Sequence, residues 1–126
     1  MILNGVDIGI GKIEANSNKI IIYSKYLDKS IYLNFNKYKL DLNNIKENES
    51  INLIKYLYWD TNFNYKDSSL LFDISNSKIT LTKINKKEFR LFIDINLKDI
   101  DIIYFYEKSI KFDLKTLLID CILKFN

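Results

Sequence analysis

Residues 89–97 read Phe-Arg-Leu-Phe-Ile-Asp-Ile-Asn-Leu, and this stretch is the clearest β-strand of the sequence. Apolar side chains stand at every odd position, and the even positions between them are mostly polar. Because successive side chains of a strand point to opposite faces of a sheet, this alternation predicts one buried face and one face in solvent. The stretch therefore predicts a sheet rather than a helical bundle.

Shorter alternating sets flank this strand on both sides. Asn85-Lys86-Lys87 and Ser75-Asn76-Ser77 predict turns that separate it from two earlier strands. The apolar positions of the flanking strands are Leu70, Phe72 and Ile74, then Ile79 and Leu81, and after the central strand Ile100, Ile102, Tyr104 and Tyr106. Short strands that follow one another with short turns predict an antiparallel meander.

The first half of the chain shows the same period more weakly. Alternation over 6–10, an Ile- and Tyr-rich run over 19–26 and a set over 31–35 predict three strands, with a turn at Asn16-Ser17-Asn18. At Asn36-Lys37 the alternation changes phase, because the next apolar residues stand on even positions. Such a change requires a tight turn or a bulge, and we favour a turn.

The C-terminal residues follow a different period. The apolar positions there are Leu114, Leu117, Leu118, Cys121, Ile122 and Phe125. This spacing predicts one face of an α-helix, and Asp113 is suited to cap its N-terminus. Residues 48–58 are compatible with either a short central helix or a strand, and 60–68 predict a loop.

Together these segments predict an α+β fold: a mainly antiparallel β-sheet meander, with the C-terminal amphipathic helix and a possible central helix packed on one face. The chain has 126 residues, of which 48% are apolar, and it contains neither a Pro- or Gly/Ser-rich linker nor an internal repeat. We therefore expect a single compact domain over residues 1–126.

Charge and cysteine content restrict the location and the partners. The net charge is +3, and only one of the 19 cationic residues is arginine, which disfavours a sequence-specific DNA reader. The single Cys121 excludes an internal disulfide, and the longest uncharged run, Ser30–Asn36, is far shorter than a membrane-spanning helix. With no recognisable signal peptide at the N-terminus, we expect a cytoplasmic protein that does not associate with a membrane.

Several classes of enzyme are excluded by residue type. The chain has no histidine, so Ser–His and Cys–His nucleophiles and His/Cys zinc sites are impossible. Gly9-Ile10-Gly11 lacks the third glycine of a phosphate-binding loop and indicates a bend or a bulge, and Cys121 is interpreted as a small buried hydrophobe. We expect no enzymatic activity, no cofactor and no resident metal.

One acidic set carries a minor alternative. Asp73, Glu88 and Arg90 loosely match a metal-dependent nuclease, in which two carboxylates hold Mg²⁺ and a cation steadies the attacking water. Arginine replaces the usual lysine, and an extra predicted strand separates Asp73 from Glu88. Asp99 and Asp101 are expected to lie on a solvated edge.

Aromatic residues are in surplus, with nine tyrosines, eight phenylalanines and one tryptophan. Tyrosine and tryptophan bury a large area and keep a polar tip, which suits them to protein interfaces. The predicted partner-binding residues lie on the loop and on the late strand: Trp59, Tyr65, Asp99, Asp101, Tyr104 and Tyr106.

The run Ser69–Lys83, the strand Phe89–Ile95 and Phe112-Asp113-Leu114, which open the predicted final helix, resemble the small immunity proteins of bacterial toxin–immunity systems, of the contact-dependent growth inhibition type. The resemblance covers size and architecture over the whole chain. It implies a cytoplasmic bacterial protein that binds one cognate toxin domain and blocks its active or functional surface. Immunity proteins against nucleases are often acidic, whereas this chain is basic.

Two further hypotheses stay open. Lysines at 19, 25, 29, 37 and 39 alternate with tyrosines at 23, 26, 32 and 38, a pattern that suits a single-stranded nucleic-acid binder. A phage-encoded inhibitor of a host enzyme would use the same surface physics as an immunity protein against a different target.

Overall fold

The structure is a computed structural model that describes residues 1–36, 39–58, 60–65, 68–106 and 114–125, with the backbone alone for 104–106. Over these ranges the chain forms twelve strands, which are β1 (Ile2–Leu3), β2 (Val6–Asp7), β3 (Ile13–Ala15), β4 (Lys19–Tyr23), β5 (Lys29–Asn34), β6 (Ser50–Asn52), β7 (Asn62–Tyr65), β8 (Ser68–Phe72), β9 (Lys78–Lys83), β10 (Glu88–Asn96), β11 (Ile102–Tyr106) and β12 (Thr116–Lys124). Three single 3-10 turns span Leu42–Asn44, Leu53–Tyr56 and Asp99–Asp101.

The strands form two six-stranded antiparallel sheets. Sheet I has the order β2-β1-β12-β10-β9-β6, and sheet II has the order β11-β8-β7-β5-β4-β3. The antiparallel sheet is confirmed, but the single meander is wrong, because β8 and β9 lie in different sheets, as do β10 and β11. The Ser75–Ser77 turn thus carries the chain from one sheet to the other.

The inner faces of the two sheets share one hydrophobic core. From sheet I it receives Phe89, Leu91, Ile93 and Ile95 of β10, all at most 2% exposed. From sheet II it receives the inward side chains of β4 and β5, which are Ile20, Ile22, Ile31 and Leu33. Each fully buried side chain of this size contributes about 1.5–3 kcal/mol. The second sheet covers the face for which the sequence predicted a helical cover.

The predicted C-terminal helix is wrong. Residues 116–124 form β12, which pairs with β10 from Thr116↔Asn96 to Lys124↔Glu88 and with β1 on its other side. The segment fits both periods, because Leu117, Ile119 and Leu123 also alternate and are at most 1% exposed as a strand. Pairing on both sides selects the strand. Asp113, the predicted cap, lies outside the described residues.

Two other predicted segments also differ. Residues 48–58 form neither a regular helix nor one continuous strand: β6 leads into the 3-10 turn Leu53–Tyr56, which Asn52 caps by accepting a hydrogen bond from the Ile54 amide. The loop expected over 60–68 contains β7, where Phe63 is fully buried, and the start of β8. Phe63 and Leu70 pair across these strands. Their burial stabilises the strands although most residues beside them in the sequence are polar.

The predicted turns at 16–18 and 85–87 are confirmed, and each is held by an asparagine side chain. The Asn16 carboxamide oxygen accepts from the amides of Asn18 and Lys19, and that of Asn85 accepts from Lys87 and Glu88. The phase change falls at Asn36 and Lys37, but Lys37 and Tyr38 lie outside the described residues. After it the chain forms the Leu42–Asn44 turn instead of a strand. No helix in the described part of the chain has the length and apolarity needed to cross a membrane.

Candidate protein-binding surface

The Ser24–Asp28 turn, between β4 and β5, exposes two large side chains at one end of sheet II. Tyr26 is 69% exposed and Leu27 is 45% exposed. The Ser24 amide donates to the Lys29 carbonyl over 2.8 Å, and its hydroxyl donates to the Leu27 carbonyl. The amides of Lys25 and Tyr26 both donate to the Ile8 carbonyl at 3.2 Å. Hydrogen bonds to β5 on one side and to Ile8 on the other therefore hold the turn in place.

Gly9 allows this attachment. Its φ is +67°, in the left-handed region, and its amide donates to the Asp7 carboxylate over 2.8 Å. A Cβ at this position would lie 2.9 Å from the Cβ of Lys25 and 3.0 Å from the ring of Tyr26. Only glycine lets the 8–11 segment approach the turn this closely. Residues 8–12 form no regular element, and Gly9 supports the turn by this close approach.

Three lysine–tyrosine pairs surround the turn. The ammonium groups of Lys12, Lys25 and Lys29 lie 5.9, 5.4 and 5.1 Å from the ring centroids of Tyr23, Tyr26 and Tyr65, respectively. These are cation–π distances, each contributing about 0.5–1 kcal/mol at exposed sites. We call the set Lys12, Tyr23, Ser24–Asp28, Lys29 and Tyr65 the turn surface.

The turn surface is basic, with Asp28 as its one acidic residue, and Glu14 lies beside it. Lys12 forms an ion pair with Glu14 at 2.8 Å. The hydrogen bond and charge of Glu14 raise the pKa of Lys12, and Lys12 lowers the pKa of Glu14. Both groups are open to solvent, so the pair fixes side-chain positions more than it stabilises the fold.

The sequence-predicted contact residues that the structure describes lie on and around β11 of sheet II. Tyr65 pairs with Ser68, and the adjacent Ser69 pairs with Tyr106, so Tyr65 and Tyr106 occupy neighbouring register positions at the turn-surface end. Tyr104 pairs with Leu71 in the middle of β11. Trp59 lies outside the described residues.

Asp99 and Asp101 lie at the opposite end of β11, where the residue after them, Ile102, pairs with Phe72. The solvated edge expected for both residues is wrong for Asp101, which is only 6% exposed. Its carboxylate accepts from the Lys98 amide over 2.8 Å, and its carbonyl accepts from the Asp73 amide over 2.7 Å. Asp101 therefore holds the 3-10 turn together, whereas Asp99 is exposed.

The nuclease set is not assembled. Asp73 follows β8 of sheet II and accepts from the amide and hydroxyl of Ser75, which lower its pKa. Glu88 and Arg90 stand on β10 of sheet I, where Arg90 pairs with Asp120. Among the described residues, no three His, Cys, Asp or Glu side chains are grouped so that they could hold a metal ion.

Cys121 is half-buried on the inner side of β12. Burial raises the pKa of its thiol to about 11, with the Asp120 carboxylate adding to the effect. At neutral pH the residue is a protonated thiol and a poor nucleophile, as expected for a small apolar side chain.

Comparison of this chain with known protein families, curated proteins and solved structures finds no match. The functional argument therefore depends on the geometry described above.

Sequence reasoning missed the exposed turn. The Ile- and Tyr-rich run continues through Tyr26, so the pattern predicts a strand there rather than a turn. Ser24 and Asp28 are the available signal, since both residue types favour turns. The role of Gly9 follows only from a contact between distant parts of the chain.

Proposed function

We propose that this chain is a non-enzymatic immunity protein that binds a cognate bacterial toxin domain and occludes its active or functional surface. The observation that carries the proposal is the Ser24–Asp28 turn, which holds two large side chains, Tyr26 and Leu27, in solvent on a fixed backbone.

Rigid presentation favours tight binding. Association removes conformational freedom from the contacting segments, and a segment that is already ordered loses less. Tyrosine side chains that fill a pocket on a partner are frequent hot spots, and truncating one costs about 2 kcal/mol or more. Tyr26 is the natural anchor of such a contact.

The charges around the turn indicate the partner's chemistry. Within the turn surface itself, Lys12, Lys25 and Lys29 outnumber the one acidic residue, Asp28. Opposite potentials accelerate association and suppress other partners. The fitting toxin surface is an apolar pocket with an acidic rim, and the basic net charge of this chain is consistent with a toxin that is not strongly basic.

The proposal is tested by co-expression with candidate toxin domains encoded by the neighbouring genes. We expect a stable complex and loss of toxicity with the wild-type chain. Tyr26→Ala combined with Leu27→Ala should weaken the complex by roughly 30-fold or more, whereas Lys86→Ala, in the exposed turn of sheet I, should leave it unchanged. Toxicity that persists in the presence of the wild-type chain would overturn the proposal.

A single-stranded nucleic-acid binder is the second candidate, and the three lysine–tyrosine pairs support it. Tyrosine rings stack on bases, and lysines neutralise phosphates. The test is fluorescence anisotropy with a labelled oligothymidylate at low salt: affinity that falls steeply with salt would favour this candidate, and no binding would remove it.

A phage-encoded inhibitor of a host enzyme would bind its target through the same turn. The identity of the gene's neighbours separates it from the immunity protein.

A further inference from the structure

The outer faces of the two sheets differ in composition. The outward positions of β4, β5, β7 and β8 in sheet II include one charged residue, Lys19. Those of β9, β10 and β12 in sheet I include six, which are Lys78, Glu88, Arg90, Asp94, Asp120 and Lys124. Tyrosine, serine and asparagine form most of the outer face of sheet II, and we define the tyrosine–asparagine face by Tyr23, Ser30, Tyr32, Asn34, Asn62, Asn64 and Ser69.

This face is continuous with the turn surface, because Tyr23 belongs to both. Tyr23 pairs with Ser30, Ser30 pairs with Asn64, and Asn64 pairs with Ser69. One row of outward side chains therefore leads from the turn across four strands, over about 14 Å at the usual strand spacing. Tyr32 stands in the next row, one step farther from the turn.

Hydrogen bonds hold the asparagine side chains of the face in position. The Asn64 carboxamide nitrogen donates to the Asn62 carboxamide oxygen over 2.7 Å, and that of Asn62 donates to the Asp60 carbonyl over 2.8 Å. The Asn34 carboxamide nitrogen donates to the Asp60 carboxylate over 3.3 Å. Each carboxamide has two N–H groups and one oxygen, so donors and acceptors remain for a partner. Side chains that are already ordered lose less freedom on binding.

The turn alone is too small for a stable complex. It has five residues, whereas a standard interface uses about 20–30 residues on each partner. The centre of an interface is poor in charged residues and rich in tyrosine. Tyrosine, serine and asparagine are also the residues that dominate antibody contact loops. Of the two outer faces, that of sheet II has this composition and adjoins the turn.

We propose that the partner bound at the turn surface also covers the tyrosine–asparagine face, and that it opposes this face with an uncharged, hydrogen-bonding protein surface. The inference rests on the proposed function and adds the extent of the interface and the chemistry of its second half. A charge on the partner would find no counter-charge on this face and would be costly to bury there.

Calorimetric titration against candidate toxin domains from the neighbouring genes tests the inference with charges of both signs. Ser30→Glu and Ser30→Lys each place a charge within the face, and both should weaken the complex by roughly 10-fold or more. Thr80→Glu and Thr80→Lys are the matched controls. Thr80 is also half-buried and outward on a central strand, but in sheet I, so both controls should keep wild-type affinity. Urea denaturation of the four variants checks that they are folded.

Hydroxyl-radical footprinting of the wild-type complex gives a second measurement that needs no substitution. The Tyr32 ring should be labelled less in the complex than in the free chain. Labelling of Phe92, which is half-buried on the outer face of sheet I, should not change.

The outcomes separate this inference from the proposed function. A complex that is weakened by Tyr26→Ala with Leu27→Ala, but is unchanged by both Ser30 variants and leaves Tyr32 unprotected, would overturn the inference alone. A loss of affinity for one sign of charge only would indicate long-range attraction instead of contact and would also count against it. A wild-type chain that binds none of the candidate domains would overturn both proposals.

Discussion

At the residue scale, the position of the Ser24–Asp28 turn depends on Gly9. Gly9→Ala adds a Cβ within 2.9 Å of Lys25 at a φ of +67°. The left-handed conformation alone costs a non-glycine residue about 1–2 kcal/mol, and the close contact adds to that loss. We expect a total decrease of roughly 2–4 kcal/mol in the free energy of unfolding, measured by urea denaturation.

Gly5→Ala is the matched control. Gly5 also has a positive φ, +83°, but a Cβ added there would meet no atom within 4 Å. Its substitution should cost the backbone contribution of about 1–2 kcal/mol and no more. Equal losses for the two variants would show that Gly9 does not support the turn by close packing.

The thiol of Cys121 provides a pH-dependent prediction. Its pKa of about 11 replaces an ordinary value near 9.0, so at pH 8 the native chain holds roughly 100-fold less thiolate than an exposed cysteine would. Alkylation by iodoacetamide should be slower by about that factor and should accelerate in urea. The same fast rate with and without urea would contradict the burial of this side chain.

The sign of the linked stability follows from the raised pKa. The buried thiol favours the protonated form, so its contribution to folding is complete below about pH 9 and is lost as the pH rises toward about 11. Cys121→Ser, which does not titrate there, should show a smaller decrease in stability over that interval.

At the element scale, the sequence of β12 fits both a helical and a strand periodicity, and the two assignments bury different side chains. As a strand it buries Ile119 and exposes Leu118, whereas the helical pattern would bury Leu118 and expose Ile119. Ile119→Ala should therefore lower the unfolding free energy by about 2–5 kcal/mol, and Leu118→Ala by less than about 1 kcal/mol. A larger loss for Leu118→Ala than for Ile119→Ala in urea denaturation would support the helical assignment of this segment instead.

The same segment shows why part of the fold was predictable and part was not. The alternation at Phe89–Ile95 fits only a strand, and β10 shows the predicted alternation of buried and exposed side chains. Residues 114–125 satisfy two periods at once, and only long-range pairing with β1 and β10 decides between them. The partition into two sheets could not be predicted from local sequence either. A turn such as Ser75–Ser77 can join two strands of one sheet or connect two different sheets.

At the scale of the whole molecule, the proposed binding surface lies at one end of sheet II, outside the core that the two sheets share. The sequence predicted tyrosine-rich contacts, and Tyr65 is placed on the turn surface, but Tyr26 and the role of Gly9 depend on tertiary contact. We infer that the protein acts by binding, with the exposed Tyr26 as the anchor of its complex.

The most direct test of that claim is calorimetric titration of the chain into a purified, inactivated candidate toxin domain, chosen from the products of the neighbouring genes. We predict a tight complex with the wild-type chain and Lys86→Ala, and an affinity lower by roughly 30-fold or more for Tyr26→Ala with Leu27→Ala. Equal affinity for all three proteins would contradict the role of the turn, and no binding by the wild-type chain would contradict the proposed function itself.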